Sequence, residues 1–294
     1  MSRVLVIGRQ GQIARALAGA AWPEGTDLSC QGRDEIDLAK PASLAHAVAA
    51  RAPDLVINAA AFTEVDRAES EPALAFAINR DGPAALARAC AALGLPLFHL
   101  STDYVFDGRK AGAYVEDDPV NPLSVYGASK EAGERAVRAA LPTHLILRSA
   151  WIYSPEGRNF VRTMLARALE APEIRVVDDQ WGCPTAASDV ARAIVAAGTR
   201  LLAGNGEFGT FHFCGSGSTN WYGFAQAIFQ LNQGPRPNLI AVPTSAFPTP
   251  ARRPPNSVLD GAKFRRLYGI EARPWRESLA GCLAEIRSRE TTTA

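Results

Sequence analysis

Short β-branched runs alternate with alanine-rich helical stretches through the first half of this 294-residue chain, and that alternation constrains its fold most tightly. Apolar runs at residues 4–7, 27–31, 54–58, 95–101 and 145–148 read as strands. Helical patterns at 12–20, 44–51, 72–93 and 123–140 fall between them. Strand, helix and strand joined in this order make right-handed crossovers and a parallel sheet. The run Asp54-Leu55-Val56-Ile57-Asn58 is continuously apolar at its centre, as suits a sheet covered on both faces. The expected class is therefore α/β with a doubly wound parallel sheet.

The second half is less regular. Helical pieces at 159–170, 187–202, 221–231 and 275–288 are separated by Gly, Pro, Asn and Thr clusters at 181–186, 204–209, 215–220 and 243–256. This pattern predicts a smaller α/β lobe whose loops cover the C-terminal edge of the sheet, where such folds place ligands. The polar tail 289–294 is expected to fray. The formal net charge of +1 favours neither nucleic acid nor disorder, and no apolar stretch is long enough for a bilayer. Five scattered cysteines without CxxC spacing indicate neither a disulfide framework nor a zinc site. The opening run reads as a buried strand rather than a signal peptide, so a reduced, cytoplasmic setting is expected.

Gly8-Arg9-Gln10-Gly11-Gln12-Ile13-Ala14 joins the first strand to the first helix. Gly8 permits a tight turn, and Gly11 lets backbone approach a pyrophosphate at the helix N-terminus. Glycine turns also serve purely steric ends, but a strand before and a helix after make this a dinucleotide site of Rossmann type. The expected dinucleotide-binding domain is 1–150 with about 186–204. The substrate lobe is 151–185 and 205–294, partly interleaved with it. At the end of the second strand, Arg33 suits a 2′-phosphate and hence NADPH, with NADH possible; the alternative is an exposed loop arginine. Asp37 and Leu38 would flank the adenine. Small residues Ala59, Ala60 and Ala61 leave room for the cofactor, and Phe62 and Thr63 complete its expected contacts.

Tyr126-Gly127-Ala128-Ser129-Lys130 places a phenol and an ammonium on one helix face. Such a pair lowers the tyrosine pKa and equips it to move a proton. Ser101-Thr102-Asp103 follows an apolar strand, which sets the Thr102 hydroxyl at the C-terminal edge of the sheet. Glycine turn, hydroxyl at a strand end and Tyr-x-x-x-Lys helix occur in the order that brings them together.

These stretches resemble the extended short-chain dehydrogenases/reductases. More narrowly the chain resembles the dTDP-4-dehydrorhamnose reductase family. The resemblance is carried by Asn58-Ala59-Ala60-Ala61-Phe62-Thr63-Glu64-Val65-Asp66, Ser101-Thr102-Asp103-Tyr104-Val105-Phe106 and Tyr126-Gly127-Ala128-Ser129-Lys130. It extends through Arg148-Ser149-Ala150-Trp151-Ile152-Tyr153, Asp179-Gln180-Trp181-Gly182-Cys183-Pro184-Thr185 and Pro248-Thr249-Pro250-Ala251-Arg252-Arg253-Pro254-Pro255-Asn256-Ser257. It implies that NAD(P)H reduces the C4 keto group of dTDP-4-dehydro-β-L-rhamnose, in the last step of dTDP-L-rhamnose synthesis. Tyr126 would protonate the forming alkoxide. Lys130 would hold the nicotinamide ribose and lower the Tyr126 pKa, and Thr102 would bind the substrate oxygen. Thr63, Val65, Asp103, Tyr104 and Trp151 would line the pocket.

Arg252 and Arg253 are candidates for the diphosphate, since a guanidinium binds phosphate at two points; the alternative is a solvated basic pair. Asp66 and Glu69 read as structural carboxylates at a helix start. Some relatives form metal-bridged dimers through glutamates, but two of those positions are Ala16 and Ser188 here. No metal is therefore expected, and the assembly would be a monomer or weak homodimer with a small-molecule nucleotide sugar as partner. Competing readings are a non-catalytic dinucleotide-binding subunit and a nucleotide-sugar epimerase or dehydratase.

Overall fold

Val4 and Val6 point to one side of their strand, Leu5 and Ile7 to the other, and all are buried. Such a strand needs cover on both faces. The computed structural model, which describes residues 1–293, supplies it. Strands β1 (Ser2–Ile7), β2 (Thr26–Gln31), β3 (Leu55–Asn58), β4 (Leu97–Thr102), β5 (His144–Ser149) and β6 (Gly209–His212) form one sheet of order β6-β5-β4-β3-β1-β2. Every pairing in it is parallel. Helices Gln12–Ala18 and Ala187–Leu202 close one face over Val4, Val6, Ile57 and Leu147. Helices Pro41–Ala49, Gly82–Leu93 and Val125–Ala140 close the other over Leu5, Ile7, Val56 and Ile146. Burying each of these large side chains contributes about 1.5–3 kcal/mol.

The strand order reverses between β1 and β3, which opens a crevice at their C-terminal ends. The smaller lobe stands beyond that edge. It packs helices Phe160–Glu170, Trp221–Leu231 and Trp275–Thr293 around a parallel strand pair, Glu173–Val177 with Asn238–Val242. Among the described residues, no helix is long and apolar enough to cross a membrane.

Three elements differ from the sequence reading. Residues 209–212, grouped by sequence with the smaller lobe, are β6 and pair with β5 from Gly209↔Leu145 to His212↔Arg148. The single helix expected over 72–93 is interrupted. Pro72–Phe76 and Gly82–Leu93 flank a wider π-helical turn, Ala77–Asp81. Pro83 explains the break, because it has no N–H for the Asn79 carbonyl and its ring would clash with it. The tail does not fray at 289. Helix Trp275–Thr293 continues, with Arg289 paired to Glu285 one turn back at 2.7 Å and Glu290 to Arg162 at 3.1 Å.

Candidate active site

The crevice is lined first by the glycine turn. Gly8 has φ +110°, and a Cβ there would sit 3.2 Å from the Ala59 carbonyl carbon, so only glycine fits between β1 and β3. Gly11 starts the following helix with no side-chain cap and no carboxylate in its first turn. The first-turn N–H groups are thus left for an anion, and the cradle fits a dinucleotide pyrophosphate. Ala14 packs against the sheet, with Ile13 beside it. Gln10 is exposed. The Gln12 side chain turns away: its Oε1 accepts from Ser154 Oγ at 2.8 Å and Asn159 Nδ2 at 3.1 Å. Only its backbone remains for a cofactor.

At the far end of the turn, Arg9 reaches across to β2's exit loop. It pairs with Asp34 and Glu35, each at 2.9 Å. Arg33 is exposed and lies 3.5 Å from Asp37, whose Oδ1 also accepts from Ala39 N. Leu38 is buried in the core, so its side chain is not a free adenine wall. Sequence reading passed over Arg9, although its place between the two glycines was the available signal.

Across the crevice, Ala59 N donates to the Ile7 carbonyl, and Phe62 is pinned by Asn79. Asn79 Oδ1 accepts from Phe62 N at 2.8 Å, while its Nδ2 donates to Phe62 O and to Ser129 Oγ. The π-helical turn thereby ties the Ala59–Thr63 loop to the Tyr126 helix. Thr63 is exposed and Val65 half-buried at a helix start.

The helix Val125–Ala140 begins at Ser124, whose Oγ accepts from Gly127 N, and Glu69 accepts from Val125 N at 2.8 Å. Tyr126, Lys130 and Glu134 follow on one face. Lys130 is buried and donates to the Leu100 carbonyl at 2.7 Å. Burial lowers its pKa to about 8, with the Glu134 charge opposing the fall. Burial raises Glu134, but Arg148 overrides this with bonds of 2.9 and 2.7 Å, helped by Ser101 and Arg138, and brings it to about 2. Glu134 is thus a fixed negative charge one turn beyond the lysine. Its signal in the sequence is the same four-residue step that joins Tyr126 to Lys130.

Tyr126 is half-buried, with Tyr104 edge-on at 5.9 Å between ring centroids. Its phenol is pushed up to about 12 by burial, against a hydrogen bond with Thr102, and the Asp103 charge adds to the rise. This corrects the expectation that Lys130 lowers the tyrosine in the resting site, where the ammonium is engaged by the Leu100 carbonyl instead. Thr102 caps the turn after β4. Its Oγ1 accepts from Tyr104 N at 3.2 Å and donates to Asp103 Oδ1 at 3.0 Å. Asp103 is buried and raised to about 6 by desolvation, with hydrogen bonding opposing. Its Oδ2 has no hydrogen-bond partner among the described residues; the nearby Ser257 hydroxyl donates to the Trp181 carbonyl at 3.3 Å. Burial and the Asp103 charge raise the Tyr104 phenol further still.

The two arginines of the late motif separate. Arg252 is exposed. Arg253 is partly buried on Asp66, with Nη2–Oδ2 at 2.8 Å, and lies beside Tyr104. Asp66 also accepts from Ala251 N at 3.1 Å, so it joins two lobes as well as starting a helix. Trp151 is stacked on Trp221 and packs against the core of the smaller lobe. Ala16 is half-buried and Ser188 exposed, and neither side chain carries a carboxylate to bind a metal. Among the described residues, no cluster of three His, Cys, Asp or Glu side chains is placed for a metal.

A phenol and a hydroxyl thus meet at the end of β4 with an ammonium one helical turn from the phenol, on the sheet edge that carries the dinucleotide cradle, which is equipment for reducing a carbonyl. Known proteins match this chain over nearly their whole length. The family model described as the RmlD substrate binding domain matches residues 2–288. A dTDP-4-dehydrorhamnose reductase of Sinorhizobium fredii is 46% identical, covering 94% of this chain and 95% of that protein. A crystal structure of a dTDP-4-dehydrorhamnose reductase from Clostridium acetobutylicum superposes with TM-score 0.91 at 35% identity, covering 97% of this chain and 99% of that one. The Bacillus anthracis enzyme, solved in complex with NADP, gives 0.90 at 34% identity over 97% and 99%. This chain belongs to the RmlD substrate binding domain family, among the dTDP-4-dehydrorhamnose reductases.

Proposed function

We propose that this chain reduces the C4 keto group of dTDP-4-dehydro-β-L-rhamnose to dTDP-β-L-rhamnose, as an NAD(P)H-dependent oxidoreductase of nucleotide-sugar metabolism. The carrying observation is that Thr102 and Tyr126 meet at the C-terminal end of β4, with Lys130 one turn along the Tyr126 helix and held on the Leu100 carbonyl of the same strand.

The nicotinamide cofactor, when bound, supplies the hydride. Gly8, Gly11 and the backbone of Gln12 and Ile13 would hold its pyrophosphate, and the Ala59–Thr63 loop would border it. Tyr126, with its phenol near 12, keeps its proton at neutral pH and gives it to the forming alkoxide. Lys130, held on the Leu100 carbonyl, would bind the nicotinamide ribose of a bound cofactor, and its ammonium would stabilise the phenolate left behind. Thr102 rotates its hydroxyl from Asp103 to the substrate oxygen and supports the developing charge. Asp103, Tyr104, Thr63, Val65 and Trp151 shape the sugar pocket, and Arg252 and Arg253 serve the diphosphate.

NADPH is the preferred cofactor and NADH is accepted. Arg9 and Arg33 favour a 2′-phosphate, but Asp34 and Glu35 already engage Arg9, so the preference is modest. The protein works in the cytoplasm, as a monomer or weak homodimer.

The test follows oxidation of NADPH and NADH with the dTDP keto sugar and its UDP analogue. Tyr126→Phe should lower kcat by about 10²–10⁴-fold while NADPH still binds. A Phe variant at wild-type rate would remove the proton-donor role. A wild-type protein that turns over no keto sugar yet binds another protein tightly would favour the non-catalytic reading.

A further inference from the structure

The rings of Trp151 and Trp221 lie face to face, 3.5 Å apart between centroids and 4° from parallel. Two indoles left to choose would take an offset or edge-on arrangement, because a full sandwich opposes like-charged π faces. Their surroundings impose it. Trp151 has φ +48°, a left-handed conformation that strains a bulky residue. Its edge rests on Gly182, where a Cβ would come within 2.3 Å of Cε2 and 2.5 Å of Nε1. Trp221 Nε1 donates to Gln180 Oε1 at 3.2 Å, and Gln180 Nε2 donates in turn to Thr244 Oγ1 at 2.9 Å. Phe160 packs against Trp221 at 4.7 Å between centroids. Trp151 also touches the cluster of Val105, Phe106 and Cys183 behind the catalytic turn, so it spans that turn and the smaller lobe.

We infer that Trp221 is a positioning residue for the nucleotide-sugar pocket: it holds Trp151 in one orientation so that the indole meets the sugar as a preset wall. The inference rests on the substrate reading proposed above. Strain and an unfavourable stack persist where the surroundings over-determine them, and a wall ordered beforehand removes part of the ordering cost of binding. Trp221 acts through Trp151, so its loss weakens capture of the sugar nucleotide and leaves proton transfer at Tyr126 intact.

The experiment compares Trp221→Leu, Trp221→Phe and Gly182→Ala in the full-length protein. It reads KM and kcat for dTDP-4-dehydro-β-L-rhamnose, KM for NADPH, and the exciton couplet that two stacked indoles give in circular dichroism. Trp221→Leu should abolish the couplet and raise the sugar-nucleotide KM about tenfold, with kcat and the NADPH KM unchanged. Trp221→Phe should recover most of the KM without the couplet. Gly182→Ala keeps both tryptophans, and should disturb the couplet and raise the same KM.

A wild-type sugar-nucleotide KM in Trp221→Leu overturns the inference. So does an equal rise in both KM values, which marks general loss of packing. Should the leucine variant fail to fold, Gly182→Ala decides: a changed couplet with unchanged sugar-nucleotide KM overturns it. A wild-type protein that neither reduces the keto sugar nor binds dTDP-β-L-rhamnose overturns the substrate reading and this inference together. Normal wild-type turnover with an unmoved KM in the variants overturns this inference alone.

Discussion

Lys130 is useful only while its ammonium survives burial, and Glu134 one turn away helps it survive. The lysine pKa is near 8, so its charge is present below that pH and lost above it. Asp103 titrates near 6, and protonation there takes away the acceptor that orients the Thr102 hydroxyl. The pH profile of kcat/KM should therefore be bell-shaped, with limbs near 6 and 8. Glu134→Gln removes the negative charge that raises Lys130, so the alkaline limb should move to lower pH. It also strips Arg148 of a buried partner, at a cost of about 3–5 kcal/mol in denaturant unfolding. An alkaline limb that stays in place in this variant would uncouple the glutamate from the lysine. Much of this site is legible in the sequence: Tyr126, Lys130 and Thr102 stand in a recognisable order. The partners that set their protonation are not, because Arg148 and the Leu100 carbonyl reach the helix from the strands before and after it, outside any helical spacing.

The helix Val125–Ala140 and the π-helical turn Ala77–Asp81 meet at Gly133, and that contact carries the next expectation. A Cβ on residue 133 would fall 2.0 Å from the Asn79 carbonyl oxygen, which Pro83 has already released from its helical ladder. Gly133→Ala should cost about 1–3 kcal/mol through overpacking. It should also lower kcat, because the helix that carries Tyr126 is pushed away from β4. Thermal melting and turnover at saturating substrate check both, and an unshifted melting temperature would show that the turn yields freely. Periodicity reads most elements of the first half, since Val4–Ile7 and the alanine-rich helices follow local patterns. It cannot read the π-helical turn, whose form depends on where a displaced carbonyl finds room. Nor does it read β6, a four-residue strand whose place is decided by pairing with β5.

At the scale of the whole molecule, the Asp66–Arg253 link ties the loop after residue 243 to the dinucleotide lobe. Hydrogen bonds from Arg253, opposed by burial, hold the Asp66 carboxyl below its usual range. The pair is partly solvent-exposed, so Asp66→Asn should change stability by only about 0–1 kcal/mol. Its effect should fall on closure: faster proteolysis within 243–256 and a higher sugar-nucleotide KM, with the NADPH KM unmoved. Protection equal to wild type would show that the loop is held by other contacts. The late arrival of β6 bears on synthesis. Every residue of β5 is buried in the finished sheet, yet its outer edge has no neighbour until residue 212 leaves the ribosome. At 5–20 residues per second that interval lasts roughly 3–13 s, during which an apolar strand edge waits in the open. The helix Ala187–Leu202, which covers one face, emerges in the same interval. A gene truncated after residue 150 would therefore encode an aggregation-prone five-stranded sheet with an open β5 edge rather than a free-standing nucleotide binder.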